Sequence, residues 1–175
     1  VFRPADLVEV AECWELGFSQ KSTPSVMALS RQNLAPMRKA HTNANLSAKG
    51  AYVLAEATGK RQVILMATGS EVEIAMAARD ALEAQGIGTR VVSMPCTNVF
   101  DRQTEAYQER VLPLNLPTVA IEAAHPDFWR KYVGRTGAVI GMPTFGESAP
   151  AKDLYAHFGL TAQAVVAAVQ RVVSA

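Results

Sequence analysis

Residues 62–71 read QVILMATGSE. The run from Gln62 to Ala67 is almost unbroken apolar sequence, the composition of a strand buried on both faces. Thr68-Gly69-Ser70 then turns the chain, and the apolar spacing becomes helical. Ser70 stands where an N-cap belongs and Glu73 follows three residues on, so a reciprocal capping box is expected. The helix should run to about Gln85, with Gly86 placed to end it. A buried strand that feeds directly into a helix opens a strand–helix–strand unit.

The alternation continues toward the C-terminus. Thr89–Met94 (TRVVSM) reads as a second strand stopped by Pro95, and Asp101–Val111 as helical. Thr118–Glu122 (TVAIE) is a third strand, Asp127–Val133 a short helix and Ala138–Met142 a fourth strand. Ala151–Phe158 is a short helix ended by Gly159. Thr161 caps a final helix whose Val165, Val166, Val169, Val172 and Val173 form one stripe. Continuously apolar strands alternating with helices need cover on both faces. Residues 62–175 are therefore expected to form an α/β domain, a three-layer α/β/α sandwich on a mostly parallel sheet.

Toward the N-terminus the pattern differs. Residues 6–18 are helical, with Leu7, Val10, Ala11, Trp14 and Phe18 on one face and a second capping box from Asp6 and Glu9. Lys21-Ser22-Thr23-Pro24 breaks the helix, and Ser25–Leu29 reads as a short strand ending at Ser30-Arg31-Gln32-Asn33. Leu34 to Arg61 lacks periodicity apart from a brief strand candidate at Ala51–Leu54. Such a stretch is long for a loop inside one domain, so it reads as an interdomain connection. The expected organisation is a helix–strand remnant of another α/β domain at 1–31, a linker at 32–61 and a domain at 62–175.

Composition narrows the function classes. The chain has 175 residues, 49% hydrophobic and 19% charged, with a net charge of +1. So balanced a charge argues against a dedicated nucleic-acid binder. No apolar run approaches the length of a membrane span. Cys13 and Cys96 stand far apart and form no Cys/His ligand cluster, which makes zinc or thioredoxin-like chemistry unlooked-for and fits a reducing, cytoplasmic setting. The chain opens Val1-Phe2-Arg3-Pro4 without a Met or a leader pattern, and reads as though it begins inside a longer protein.

Several residues invite a chemical reading beside a plainer one. Thr68–Ser70 at a strand-to-helix junction can offer N–H groups to an anion, but it lacks a full phosphate-loop pattern, so helix capping is the plainer expectation. Gly146-Glu147-Ser148-Ala149-Pro150 departs from the nucleophile-elbow pattern, because Pro150 replaces the second glycine. His41, His125 and His157 share no metal-ligand spacing. Arg38-Lys39 beside His41 reads as a solvated basic loop. Phe128, Trp129 and Tyr132 read as packing rather than base stacking, with Phe128 and Tyr132 on one helix face. Arg31 is the most suggestive charge. It follows an apolar strand, and α/β folds set ligand-contacting groups at strand ends. A guanidinium there can fork onto a phosphate or carboxylate, or form a structural ion pair.

Beyond these readings, a set of segments resembles the transketolase family along essentially the whole chain, in order. They include Arg3-Pro4-Ala5-Asp6, Ser30-Arg31-Gln32-Asn33-Leu34, Gly50-Ala51-Tyr52-Val53-Leu54, Ala67 to Val72 (ATGSEV), Arg90 to Pro95 (RVVSMP), Tyr107 to Pro113 (YQERVLP) and Gly137 to Tyr155 (GAVIGMPTFGESAPAKDLY). The pairing of SRQNL with FGESAPAKDLY at this separation is the most specific part.

The resemblance implies that residues 1–31 are the end of a pyrimidine-binding domain and 62–175 a transketolase C-terminal domain. The family moves a two-carbon ketol unit from a ketose phosphate to an aldose, in the pentose phosphate pathway and the Calvin cycle. It uses thiamine diphosphate and Mg2+, and its members are homodimers. The family's cofactor segment GDG and its substrate segment GEDGPTHQP do not occur in this sequence. The expectation is a chain with no bound cofactor, no metal and no catalytic residue of its own, inactive alone, whose partner is the remainder of the subunit. Arg31 alone carries over, as the family arginine that binds the sugar phosphate. Residues 1–31 should expose apolar faces that the rest of their domain covers. The alternatives are a stand-alone anion-binding or regulatory module, or part of a related enzyme such as dihydroxyacetone synthase or deoxyxylulose-phosphate synthase.

Overall fold

A computed structural model describes residues 1–174. Helix α1 (Leu7–Ser19) is followed by a long irregular stretch with one 3-10 turn at Leu46–Lys49. Then come β1 (Tyr52–Ala55), β2 (Arg61–Ala67), α2 (Glu71–Glu83) and β3 (Gly88–Ser93). They are followed by α3 (Thr97–Phe100), α4 (Glu105–Val111) and β4 (Thr118–Ile121). A 3-10 turn at Pro126–Trp129 leads into α5 (Arg130–Val133), β5 (Ala138–Ile140), α6 (Ala151–His157) and α7 (Ala162–Val173).

β2 occupies the centre of a five-stranded sheet of order β1-β3-β2-β4-β5. It pairs in parallel with β3 and β4, and β4 pairs in parallel with β5. Only the edge strand β1 runs antiparallel, with Tyr52 opposite Ser93. Alternate side chains go to opposite layers. Val63, Leu65 and Ala67 join Val72 and Leu82 of α2 and Val165 and Val169 of α7. Ile64 and Met66 join Phe100, Val111, Trp129 and Val133 on the other face. Cover on both sides is why β2 tolerates no polar residue from Val63 to Ala67, and it makes the fold the expected three-layer α/β/α sandwich.

Several local expectations need correction. Ser70 has helical backbone angles and makes no capping bond, because its hydroxyl turns to Tyr155 instead. Asp6 does cap α1, accepting the Glu9 N–H at 2.9 Å, but the Glu9 carboxylate reaches one residue further back, to the Ala5 N–H at 2.7 Å. The helix expected over 101–111 begins only at Glu105, as α4, because Thr104 adopts extended angles and starts the helix by accepting the Tyr107 N–H; α3 is a separate turn of helix upstream, at 97–100. Residues 25–29 form no ladder; Met27 makes a single parallel bridge to Phe2. β1, inside the stretch expected to be linker, belongs to the sheet.

The apolar stripe of α1 lies at the surface: Leu7 and Phe18 are each 78% exposed and Trp14 44%. Glu9 and Cys13 occupy the buried side instead. Trp14 and Phe18 stack on one another at 5.1 Å, ring centroid to centroid.

Candidate functional site

The chain leaves β2 through α2 on one face of the sheet, and leaves β4 toward Trp129 and α5 on the other. Between the carboxyl ends of β2 and β4 the connections therefore diverge, and such a switch point is where open α/β sheets bind ligands. Here Arg3 fills it. Its carbonyl accepts the Gly69 N–H at 3.0 Å and the Thr68 hydroxyl at 3.2 Å, and its own N–H donates to the Pro95 carbonyl at 2.8 Å. Gly69 sits at φ +58, the left-handed conformation this turn requires. The Arg3 guanidinium pairs with Glu122, which follows β4 and also accepts the indole N–H of Trp129. The Gly69 N–H is thus committed to the chain's own backbone rather than free for an anion.

A second polar cluster joins α1 to the sheet. The Glu9 carboxylate accepts the Tyr52 hydroxyl at 2.7 Å and the Ser93 hydroxyl at 2.5 Å. Burial pushes this carboxyl above its ordinary value, with the Ser93, Ala5 and Tyr52 donors pulling the other way. One turn on, Glu12 accepts two bonds from the Arg38 guanidinium and the N–H groups of Leu46 and Ser47. Burial raises Glu12, but these donors outweigh it and hold the group below the ordinary carboxylate range. Arg38 also reaches the Tyr52 hydroxyl at 3.0 Å, so the two carboxylates share one network. The expectation of a solvated basic loop at Arg38 is therefore corrected.

Arg31 lies in a bend at the same carboxyl end, exposed to solvent. No described carboxylate bridges it. Its neighbours Ser30 and Gln32 line a cleft of about 300 Å³ together with Ser70, Glu71 and Tyr155. The Tyr155 hydroxyl donates to Glu71 at 2.7 Å and lies 2.8 Å from the Ser70 hydroxyl. Burial, then the charge of Glu71, pushes the Tyr155 phenol up to about 12.

Residues 50–161 match the family model for the transketolase-like TK C-terminal domain. The chain belongs to the transketolase family. It is 56% identical over 175 residues to a transketolase of Rhodobacter capsulatus, across 97% of this chain and 26% of that protein. The transketolase from Leishmania mexicana superposes with a TM-score of 0.90 at 38% identity, over 99% of this chain and 25% of that one. A split gene transketolase, described as an inactive beta4 tetramer, superposes at 0.78 and 25% identity over 99% of this chain and 57% of that one. The chain spans about a quarter of the length of the curated transketolases it matches.

The thiamine diphosphate and Mg2+ that the resemblance implies would need donors that the described residues do not bring together. No three His, Cys, Asp or Glu side chains among them converge as a metal site. The strand-to-helix turn at 68–70 gives its Gly69 N–H to the Arg3 carbonyl. The remaining candidates stay apart. His41 bonds Asn43, His125 accepts the Asp127 N–H, and His157 packs edge-on to Phe158. Residues 146–150 form an exposed loop leading into α6. Phe128 and Tyr132 do meet, at 6.5 Å, around the buried Trp129. Sequence reasoning missed Glu12–Arg38, Glu122 and Tyr155. For the first pair a signal existed, since Asp6, Glu9 and Glu12 recur at helical spacing opposite the apolar stripe.

Proposed function

We propose that the chain is the C-terminal portion of a thiamine-diphosphate- and Mg2+-dependent transketolase subunit, which transfers a ketol unit from a ketose phosphate to an aldose phosphate. Residues 1–31 end the pyrimidine-binding domain, 32–61 connect the domains and hand β1 to the sheet, and 62–175 form the C-terminal domain. The intact enzyme works as a cytoplasmic homodimer.

Within it, Arg31 binds the substrate phosphate. The observation that carries this assignment is the Ser30-Arg31-Gln32-Asn33 bend. It presents a solvent-facing guanidinium without a carboxylate partner at the carboxyl end of the sheet. A planar fork of donors suits a dianion better than a point charge does.

The 175-residue chain alone is inactive on this reading. The groups that orient cofactor and reacting carbonyl belong to segments it does not contain, and orientation with electrostatics is what such a protein contributes. The description of the split gene transketolase tetramer as inactive supports the same reading. A coupled assay with xylulose 5-phosphate, ribose 5-phosphate, thiamine diphosphate and Mg2+ tests both parts. The 175-residue chain should give no product. In the full-length subunit, Arg31→Ala should raise KM for phosphorylated sugars far more than for unphosphorylated ones. Turnover by the short chain overturns the first claim, and equal KM effects overturn the second.

A further inference from the structure

The bend that carries Arg31 has little backbone support of its own. Upstream it is tied by the Ala28 N–H to the Phe2 carbonyl at 2.9 Å, and downstream by the Met37 N–H to Asp6 at 2.8 Å. Between those ties, residues 29–36 make no backbone hydrogen bond among the described residues. A guanidinium on such a span binds a phosphate well only if something else fixes its direction, since ordering a loose segment costs binding energy.

The lateral support comes from the sandwich domain. Ser30 and Gln32, on either side of Arg31, both line the cleft whose far wall is Tyr155 with Ser70 and Glu71. Gln32 and Tyr155 line this cleft together, and both also line the neighbouring groove along α6. A phenol has one proton and two acceptor sites. Its proton goes to Glu71, a buried carboxylate, and the hydroxyl oxygen remains an acceptor. The oxygen is thus left to accept, from the Ser70 hydroxyl 2.8 Å away and from the Gln32 amide that shares the cleft.

We propose that Tyr155 is a positioning residue for the phosphate subsite: its hydroxyl, held by Glu71 and Ser70, seats Gln32 and so aims Arg31 at the substrate phosphate. The proposal rests on the reading of Arg31 as the phosphate ligand. It gives the C-terminal domain a part in substrate binding, exerted from behind the bend.

The test uses the full-length subunit. Tyr155→Phe removes the hydroxyl and keeps the ring. It should raise KM for ribose 5-phosphate about three- to tenfold, the worth of one hydrogen bond. The kcat should hold, and KM for unphosphorylated ribose should be unmoved. Added to Arg31→Ala, it should change nothing further, because the aim of an absent guanidinium is immaterial. Gln32→Leu, on the exposed bend, should reproduce the Tyr155→Phe effect and serves as the readout if the tyrosine variant folds poorly. If Arg31→Ala separates the two sugars and neither other variant does, the positioning claim is overturned and the phosphate assignment stands. If Arg31→Ala itself fails to separate them, the phosphate assignment falls first and takes this claim with it. An additive double mutant also overturns the claim.

Discussion

Arg38 forks onto Glu12 at 2.5 and 3.0 Å, with the two side chains only 9% and 11% exposed. One partner comes from α1 and the other from the irregular stretch after it, so the pair fastens the N-terminal helix to the segment that leads into the sheet.

Breaking one half of so enclosed a pair strands the other. Arg38→Met should therefore cost about 3 kcal/mol of unfolding free energy, most of it the penalty of an uncompensated Glu12. Urea unfolding of the 175-residue chain measures it. A loss below roughly 0.5 kcal/mol, the scale of a surface change, would show that the pair holds nothing together.

Glu9 and Glu12 oppose one another as pH changes. Glu12 is held below the ordinary 4.5, so its contribution is present above 4.5 and is lost as pH falls through its folded value. Glu9 is held above 4.5, so its contribution is complete below 4.5 and is lost as pH rises through its folded value. The stability of the parent chain minus that of Glu9→Gln should accordingly decline from pH 4.5 toward neutrality. Unfolding midpoints at stepped pH supply the curve, and a flat difference contradicts the assignment.

Gly50 has φ +81, and a Cβ there would stand 2.2 Å from the Phe100 nitrogen and 2.4 Å from the Cys96 oxygen. Both obstacles are backbone. Gly50→Ala should destabilise by at least about 2 kcal/mol, combining strain with overpacking. Gly59 has no atom within 4 Å of its virtual Cβ, so Gly59→Ala is expected to be neutral or stabilising by up to about 1 kcal/mol. Thermal melts of the two variants should move in opposite directions or only the first should move.

Phe18, at 78% exposure, should accept Ser with a change under about 0.5 kcal/mol, whereas Leu65→Ala in the centre of β2 should cost about 2–5 kcal/mol. Phe18→Ser should also lower any concentration-dependent self-association of the chain, because it breaks the exposed Trp14–Phe18 stack. Sedimentation at two concentrations checks this; unchanged association would assign the contact to another surface.

Thiamine diphosphate with Mg2+ should leave the melting temperature of the 175-residue chain unchanged, since a ligand stabilises only what binds it. A saturable rise would mean that the chain holds a cofactor site after all.

The sandwich was legible because strands buried on both faces have a composition of their own. QVILMA cannot lie on a half-wet sheet, and its neighbours repeat the pattern with helices between them. Helix α1 was legible in extent from its periodicity, whereas the exposure of its apolar stripe was expected only from the family resemblance. Its stripe of Leu7, Trp14 and Phe18 has the periodicity of a core face, while the buried face carries Glu9. Periodicity reports which residues share a side, not which side a neighbour covers. The carboxylate network escaped because its partners, Arg38, Ser47 and Ser93, are brought in from 26 to 84 residues away. The Tyr155–Glu71 contact spans 84 positions and has no local signature either.

The plug at the sheet's crevice is covalently part of the polypeptide. Arg3 behaves as a tethered competitor whose effective concentration stays in the range of about millimolar or above, however dilute the protein. A soluble nucleotide or sugar phosphate must displace it before touching Gly69. In this sandwich, the cleft that other doubly wound sheets devote to cofactors is taken up by Arg3 of the chain itself.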